Sequence, residues 1–148
     1  MIRVQREDFD VGAELEKLSK GNPRIGGVAS FIGLVRDMGG ADRVEALTLE
    51  HYPGMTEHEI ASHVREAERR WPLSGVTIIH RIGRLEPGAR IVLVATSSGH
   101  RQAAFAAAEF LMDYLKTRAP FWKEEERGET KTWVAAKDTD EDAVRRWR

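Results

Sequence analysis

No cysteine occurs anywhere in the 148 residues. That excludes a disulfide framework, a thiolate nucleophile and thiolate metal sites, and any sulfur the chain handles has to arrive on a partner or a substrate. A surplus of one charge is also missing: 23 Lys and Arg stand against 24 Asp and Glu, a formal net charge of -1. No global basic field draws in nucleic acid, so an anion site has to be a local cluster. Long apolar runs are absent too. No stretch approaches the ~20 apolar residues needed to cross a bilayer, and Met1-Ile2-Arg3-Val4-Gln5-Arg6 lacks the apolar segment of a signal peptide. The expectation is a cytosolic (cytoplasmic) protein with no membrane and no nucleic-acid partner. With 41% hydrophobic and 32% charged residues, the remainder is an ordinary globular composition, long enough to bury one core.

Ile2 to Gln5 reads as a short strand, and Asp10 as the N-cap of a helix through Leu15 and Leu18 that ends at Gly21-Asn22-Pro23. Gly26 to Val35 is apolar and β-branched, which predicts a buried strand with glycines where backbones approach closely. The polar segment Arg36 to Asp42 reads as a mobile loop, and Val44 to Leu49 as a second strand leading to Tyr52-Pro53-Gly54. Thr56 with Glu59 suggests a capping box for a helix whose stripe is Ile60, Val64, Ala67 and Trp71, stopped by Pro72. Val76 to Ile82 and Ile91 to Thr96 read as a hairpin across Glu86-Pro87-Gly88. The longest helix runs from near Ser98-Gly99-His100 to Thr117, with Ala104, Ala108, Leu111 and Leu115 as its stripe and Pro120 as its stop. An extended Phe121-Trp122-Lys123-Glu124 then pairs with Trp133-Val134. Residues 1–137 are expected to form one domain, and 138–148 a charged, partly ordered C-terminal tail. Helices and strands mix without strict alternation, so the fold class is α+β.

Chemistry narrows by exclusion. His58 and His63 resemble a zinc-protease pair but stand five apart, so on a helix the second ring lies ~140° around from the first; they read as solvent-facing histidines, and no metal is expected. Gly26-Gly27 and Gly39-Gly40 match no nucleotide fingerprint, and Ser97 and Ser98 have no nucleophile-elbow context. More informative are basic residues that interrupt apolar sequence. Arg36 closes a strand, His100 and Arg101 open the long helix where free N–H groups favour an anion, Lys116 sits at its far end, and Lys123 follows Pro120. Each alone is an ordinary solvated charge, and Lys116 equally a cation complementing a helix C-terminus. Together they suggest an anion pocket whose apolar walls are Phe31, Met112 and Phe121. Two lysines meeting there would depress each other's pKa and favour nucleophilic or acid–base chemistry.

At these residues the chain resembles the large, catalytic subunit family of molybdopterin synthase. The similarity lies in Phe31-Ile32-Gly33-Leu34-Val35-Arg36, Leu49-Glu50-His51-Tyr52-Pro53-Gly54-Met55, His80-Arg81-Ile82-Gly83, His100 to Phe105, and the unusual stretch Leu111 to Glu124. The resemblance implies an α/β hammerhead fold with a small additional β subdomain. It further implies a homodimer of large subunits, each binding a small ubiquitin-like sulfur-carrier subunit, a heterotetramer overall. That carrier's C-terminal thiocarboxylate would give sulfur to cyclic pyranopterin monophosphate, forming the dithiolene of molybdopterin without a further cofactor. On the same ground Lys116 and Lys123 are the catalytic lysines, with Lys116 in covalent or acid–base chemistry. Arg36, His100 and Arg101 bind substrate, and Leu34, Val35, Glu124 and Glu125 flank them with backbone contacts. Where family members often carry a His-Asn pair after the arginine, this chain has Asp37-Met38-Gly39-Gly40, so no contact is carried over from that loop.

Helix geometry adds a constraint. Arg101 and Lys116 are fifteen residues apart, roughly 22 Å along one helix at ~1.5 Å per residue. Serving one small substrate then requires His100 and Arg101 from a neighbouring subunit, a shared site at the dimer interface. The rival readings are a non-catalytic binding module for a ubiquitin-like tail or another anionic ligand, a single-stranded nucleic-acid binder stacking bases on Phe121 and Trp122, and a purely structural dimer.

Overall fold

The structure is a computed structural model and describes residues 1–37, 39, 43–134 and 138–148. The segment read as a mobile loop, Arg36 to Asp42, falls largely outside the described residues, Met38 included. In chain order the elements are β1 (Ile2–Gln5), α1 (Val11–Ser19), β2 (Gly27–Leu34), β3 (Ala46–His51), α2 (Met55–Arg70), β4 (Leu73–Arg81), β5 (Gly83–Leu85), β6 (Arg90–Ser98), α3 (Arg101–Thr117), β7 (Phe121–Arg127), β8 (Thr130–Val134) and α4 (Asp138–Arg145). Among the described residues the strands form two four-stranded sheets, ordered β1-β4-β6-β2 and β5-β3-β7-β8, and only the β1–β4 pair is parallel. The α+β class expected from the sequence is the class observed, with the second sheet as the smaller β unit.

Strands β4 and β6 occupy the middle of the first sheet and are covered on both faces, which is why their sequences run apolar instead of alternating. Ile78, Val92 and Val94 pack with Ile60 and Ala67 of α2 and with Ala104, Ala108 and Leu111 of α3. One residue out of phase, Ile79, Leu93 and Ala95 pack with Phe9 and with Val11, Leu15 and Leu18 around α1. Asp10 caps α1 as its position predicts, accepting a hydrogen bond from Ala13 N at 3.0 Å. At the entrance to α3, Gly26 is required: a Cβ there would lie 2.3 Å from the carbonyl oxygen of Gly99.

Five expectations change. The strand over residues 26–35 is not buried throughout; β2 is the sheet edge and, among the described residues, pairs only with β6, so Val28, Phe31 and Leu34 stay exposed. The expected hairpin is interrupted, because Gly83, at φ 89°, turns the chain out of the first sheet and β5 pairs with β3 in the second. The helix after Tyr52 begins two residues earlier than a Thr56 cap requires. Gly54, at φ 85°, makes the turn, and the Glu57 carboxylate accepts from its N–H. Thr56 is instead wholly buried: its hydroxyl accepts from Tyr52 N and donates to the Pro120 carbonyl, each at 3.0 Å. Of the two histidines read as solvent-facing, His58 is exposed, but His63 is half-buried and stacks on Tyr114 with ring centroids 4.4 Å apart.

The fifth change concerns the tail, which is helical where partial order was expected. Helix α4 buries Val144 and lies against α3 through Arg118–Glu141 (2.8 Å) and Arg146–Asp113 (2.7 Å) ion pairs. Its charges are therefore aimed at partners as well as at water. Trp147 meets Trp71 and Phe110 edge-on at 5.6 Å each and donates its indole N–H to Asp113 at 2.6 Å. Trp147→Ala removes this aromatic anchor and is expected to lower unfolding stability by about 3 kcal/mol. Urea denaturation checks it, and an unchanged midpoint would show that α4 contributes nothing to the core.

Candidate active site

The C-terminal half of α3 sets up one side of a cavity. Met112, Leu115 and Lys116 follow one another at spacings of three and one residues, so a single helical face presents them, and Ala119 joins them just past the helix end. Pro120 then stops the helix, and three residues after Pro120 the strand β7 carries Lys123. Strand alternation sorts β7 by face. Phe121, Lys123 and Glu125 pair with His51, Leu49 and Leu47 on one side of the sheet, and Trp122 and Glu124 point to the other. Leu34, Val35 and Arg36 arrive from the end of β2, whose exit is pinned by Val35 N to Ala89 O (2.9 Å) and Gly88 N to Val35 O (2.8 Å). These elements enclose a cavity of about 550 Å³, lined by Phe31, Leu34, Val35, Arg36, Met112, Lys116, Phe121 and Lys123 among others.

Residues read separately from the sequence thus share one space. Both lysines, Arg36 and all three expected apolar walls line it. Four residues do not. Glu124 faces the opposite side of its sheet, beside the exposed Trp122 and Trp133, whose rings stack at 4.8 Å. Glu125 shares the sheet face of Lys123 but pairs with Arg127 at 2.7 Å. His100 and Arg101 are exposed at the other end of α3, an unbroken 17-residue helix whose C-terminal half lines the cavity. His100 is the N-cap residue, and its side chain makes no capping bond.

One lining residue received no role from the sequence. His80 lies on β4 in phase with Val76 and Ile78, so the strand's period of two points it inward. A histidine on the buried face of an apolar strand is the signal that could have found it. It is 8% exposed and lines the cavity. Its ring stacks on Phe121 with centroids 3.8 Å apart and planes 17° apart. Its Nδ1 lies 2.8 Å from the Arg81 carbonyl oxygen. A carbonyl only accepts, so Nδ1 carries the proton and, in the neutral ring, Nε2 keeps its lone pair.

A family model described as MoaE protein matches residues 4–118. The chain belongs to the MoaE family. A molybdopterin synthase catalytic subunit of Mesorhizobium japonicum is 57% identical over 149 residues, covering 99% of this chain and 92% of that protein. The molybdopterin biosynthesis MoaE protein of Burkholderia ambifaria superposes with a TM-score of 0.83 at 51% identity, covering 99% of this chain and 96% of the other. A crystal structure titled molybdopterin synthase from Staphylococcus aureus gives 0.82 at 31% identity, covering 89% and 95%.

In this MoaE chain no group of three or more His, Asp or Glu among the described residues is placed to hold a metal ion. No helix among the described residues is long and apolar enough to cross a membrane. The electrostatics of the cavity centre on His80. Burial pushes its pKa from the ordinary 6.5 down to about 4, the nearby charges of Lys116, Lys123 and His51 push the same way, and the Arg81 carbonyl opposes them. Between those two values the unfolded chain takes up a proton at this position and the folded chain does not. Stability therefore falls as pH drops from about 6.5 to about 4, by about 3 kcal/mol at ~1.4 kcal/mol per unit. Urea midpoints measured across that window check it: His80→Phe, which cannot titrate, should show a shallower decline than the wild type. Equal slopes would mean that His80 titrates normally in the fold.

Proposed function

We propose that this chain is the catalytic subunit of a molybdopterin synthase. It takes sulfur from the C-terminal thiocarboxylate of a small ubiquitin-like carrier subunit and transfers it to cyclic pyranopterin monophosphate, and two transfers complete the dithiolene of molybdopterin. Membership of a family whose curated relatives are named molybdopterin synthase catalytic subunits supports the reaction. The observation that carries it to particular atoms is the meeting of Lys116 and Lys123, from a helix and a strand, in one apolar-walled cavity with Arg36. A flat pterin lies against Phe31, Met112 and Phe121 in this reading. Lys116 does covalent or acid–base work at the pterin carbon, and Lys123 is a second acid–base or electrostatic group. Leu34, Val35, Glu124 and Glu125 flank these positions and contribute through their backbone at most. No cofactor takes part, and the sulfur enters from outside a chain that has no cysteine. We place the reaction in the cytoplasm, a reading that rests on the family.

The assembly we propose is a dimer of this chain with one carrier bound to each copy. Two observations support a second copy at the β2 edge. The strand leaves its outer backbone edge open beside the exposed Phe31 and Leu34, and Phe105 of α3 is 67% exposed. The length of α3 also holds His100 and Arg101 away from their own cavity. Contributed by the partner, these two residues hold the substrate phosphate at a helix N-terminus, where free N–H groups and the dipole favour an anion.

Product formation from cyclic pyranopterin monophosphate and thiocarboxylated carrier, followed by fluorescence of the oxidised pterin, tests both readings. Lys116→Ala and Lys123→Ala should each lose at least about a hundredfold in rate, the scale of a lost acid–base group. Carrier binding without product from the wild type would instead indicate a non-catalytic binding module. Arg101→Ala should be defective as well. When Arg101→Ala and Lys116→Ala chains are unfolded and reassembled together, a shared site predicts recovery to about a quarter of wild-type activity, since half the dimers are mixed and each has one intact site. No recovery would place both residues in the same protomer's site.

A further inference from the structure

The side chains around the cavity are unbalanced in hydrogen bonding. Arg36, Lys116 and Lys123 can only donate. The remaining described lining residues are apolar or glycine, apart from His80 and the weakly accepting sulfur of Met112. A phosphorylated pterin brings acceptors that these cations can satisfy. It also brings ring and exocyclic N–H groups that none of them can receive. His80 supplies what is missing. Its Nδ1 is committed to the Arg81 carbonyl, the ring cannot swing away because it is stacked on Phe121, and burial beside two lysines keeps it neutral. Nε2 is therefore a fixed acceptor.

We propose that His80 is a specificity-determining residue of the site, its Nε2 accepting a hydrogen bond from an N–H of the bound pterin ring. This rests on the sulfur-transfer reading above. Of the two ligands in that reading the pterin fits better. One acceptor beside the apolar surfaces of Phe31, Met112 and Phe121 suits a flat heterocycle carrying N–H groups at its edge. The C-terminal tail of a carrier has amide N–H groups but no flat surface to cover those walls. The hydrogen bond orients the ring relative to Lys116 and rejects flat anions that lack the donor, because such a ligand leaves the His80 acceptor buried and unpaired.

The test compares three substitutions in steady-state assays of the assembled enzyme, with pterin and carrier varied separately. His80→Phe keeps a ring for the stack but has no acceptor, and is expected to raise KM for the pterin about ten- to a hundredfold, with KM for the carrier unchanged. His80→Gln offers an amide oxygen at similar reach and should restore KM to within about fivefold of wild type. His80→Asn keeps a donor for the Arg81 carbonyl but is too short to present the acceptor, and should behave like His80→Phe. Because the phenylalanine variant can fail to fold, nitrogen NMR of the wild type provides a second measurement. The Nε2 resonance of His80 should move on adding the phosphorylated pterin, and stay in place on adding inorganic phosphate or the carrier alone.

Turnover by His80→Phe with a wild-type KM overturns the proposal. So does an unmoved Nε2 resonance in a pterin-saturated sample, or movement caused by the carrier alone, which would assign the acceptor to the tail. Failure of the wild type to bind pterin or form product is a distinct result, and it removes the sulfur-transfer reading itself.

Discussion

The site depends on where α3 stops. Pro120 has no N–H to continue a helix and biases Ala119 away from helical geometry. The chain therefore leaves α3 at Thr117, one residue beyond Lys116, and enters β7 at Phe121. The Thr56 hydroxyl, buried at the start of α2, donates to the Pro120 carbonyl and fixes the position of the stop. A helix end and a strand start are thus brought together within a few residues of sequence. That is why Lys116 and Lys123, which serve different secondary structures, face one cavity. Moving the stop by a single residue would rotate the last helical side chains by ~100° and shift β7 by one position, which turns Lys123 to the other face of its sheet.

The same helix separates the other cations. Its unbroken course keeps His100 and Arg101 at its N-terminus, beside the close Gly26–Gly99 approach, while Lys116 sits at the far end. One protomer therefore presents Lys116 and Lys123 in one place and the helix start with His100 and Arg101 in another. The exposed apolar edge of β2 adjoins both ends of this helix, since Gly27 pairs with Ser98 and Leu34 lines the cavity. In the dimer we propose, a second copy at that edge joins the two halves. On that proposal the dimer is part of the chemistry, beyond any gain in stability.

Much of this was legible because it follows local rules. The stripe of α3, the stop at Pro120, the Asp10 cap and the pairing of Trp133 with the Phe121 strand depend on residues close in sequence or on simple periodicity. The sequence suggested a pocket of Arg36, His100, Arg101, Lys116 and Lys123; three of the five line one cavity, and spacing alone could not show which of them meet. What escaped depends on distant partners. Thr56 has a role only because Pro120 passes it 64 residues later. An apolar run such as β2 reads the same at the edge of a sheet as in its middle. Helix α4 looks like a solvated tail until Arg118, Asp113 and Trp71 are placed beside it. His80 was passed over because a single histidine in an apolar strand acquires meaning only from the lysines and the aromatic ring that surround it.

The central claim is that one substrate spans two chains, with its reacting ring in one protomer's cavity and its phosphate at the start of the other's α3. A crystal structure of the assembled dimer with a non-reactive phosphorylated pterin tests it most directly. The account predicts the ring between Phe31 and Met112, within reach of Lys116 and Lys123 of one chain. It predicts the phosphate on His100 and Arg101 of the partner subunit. A pterin bound wholly within one chain, with His100 and Arg101 of both copies turned to solvent, would contradict it.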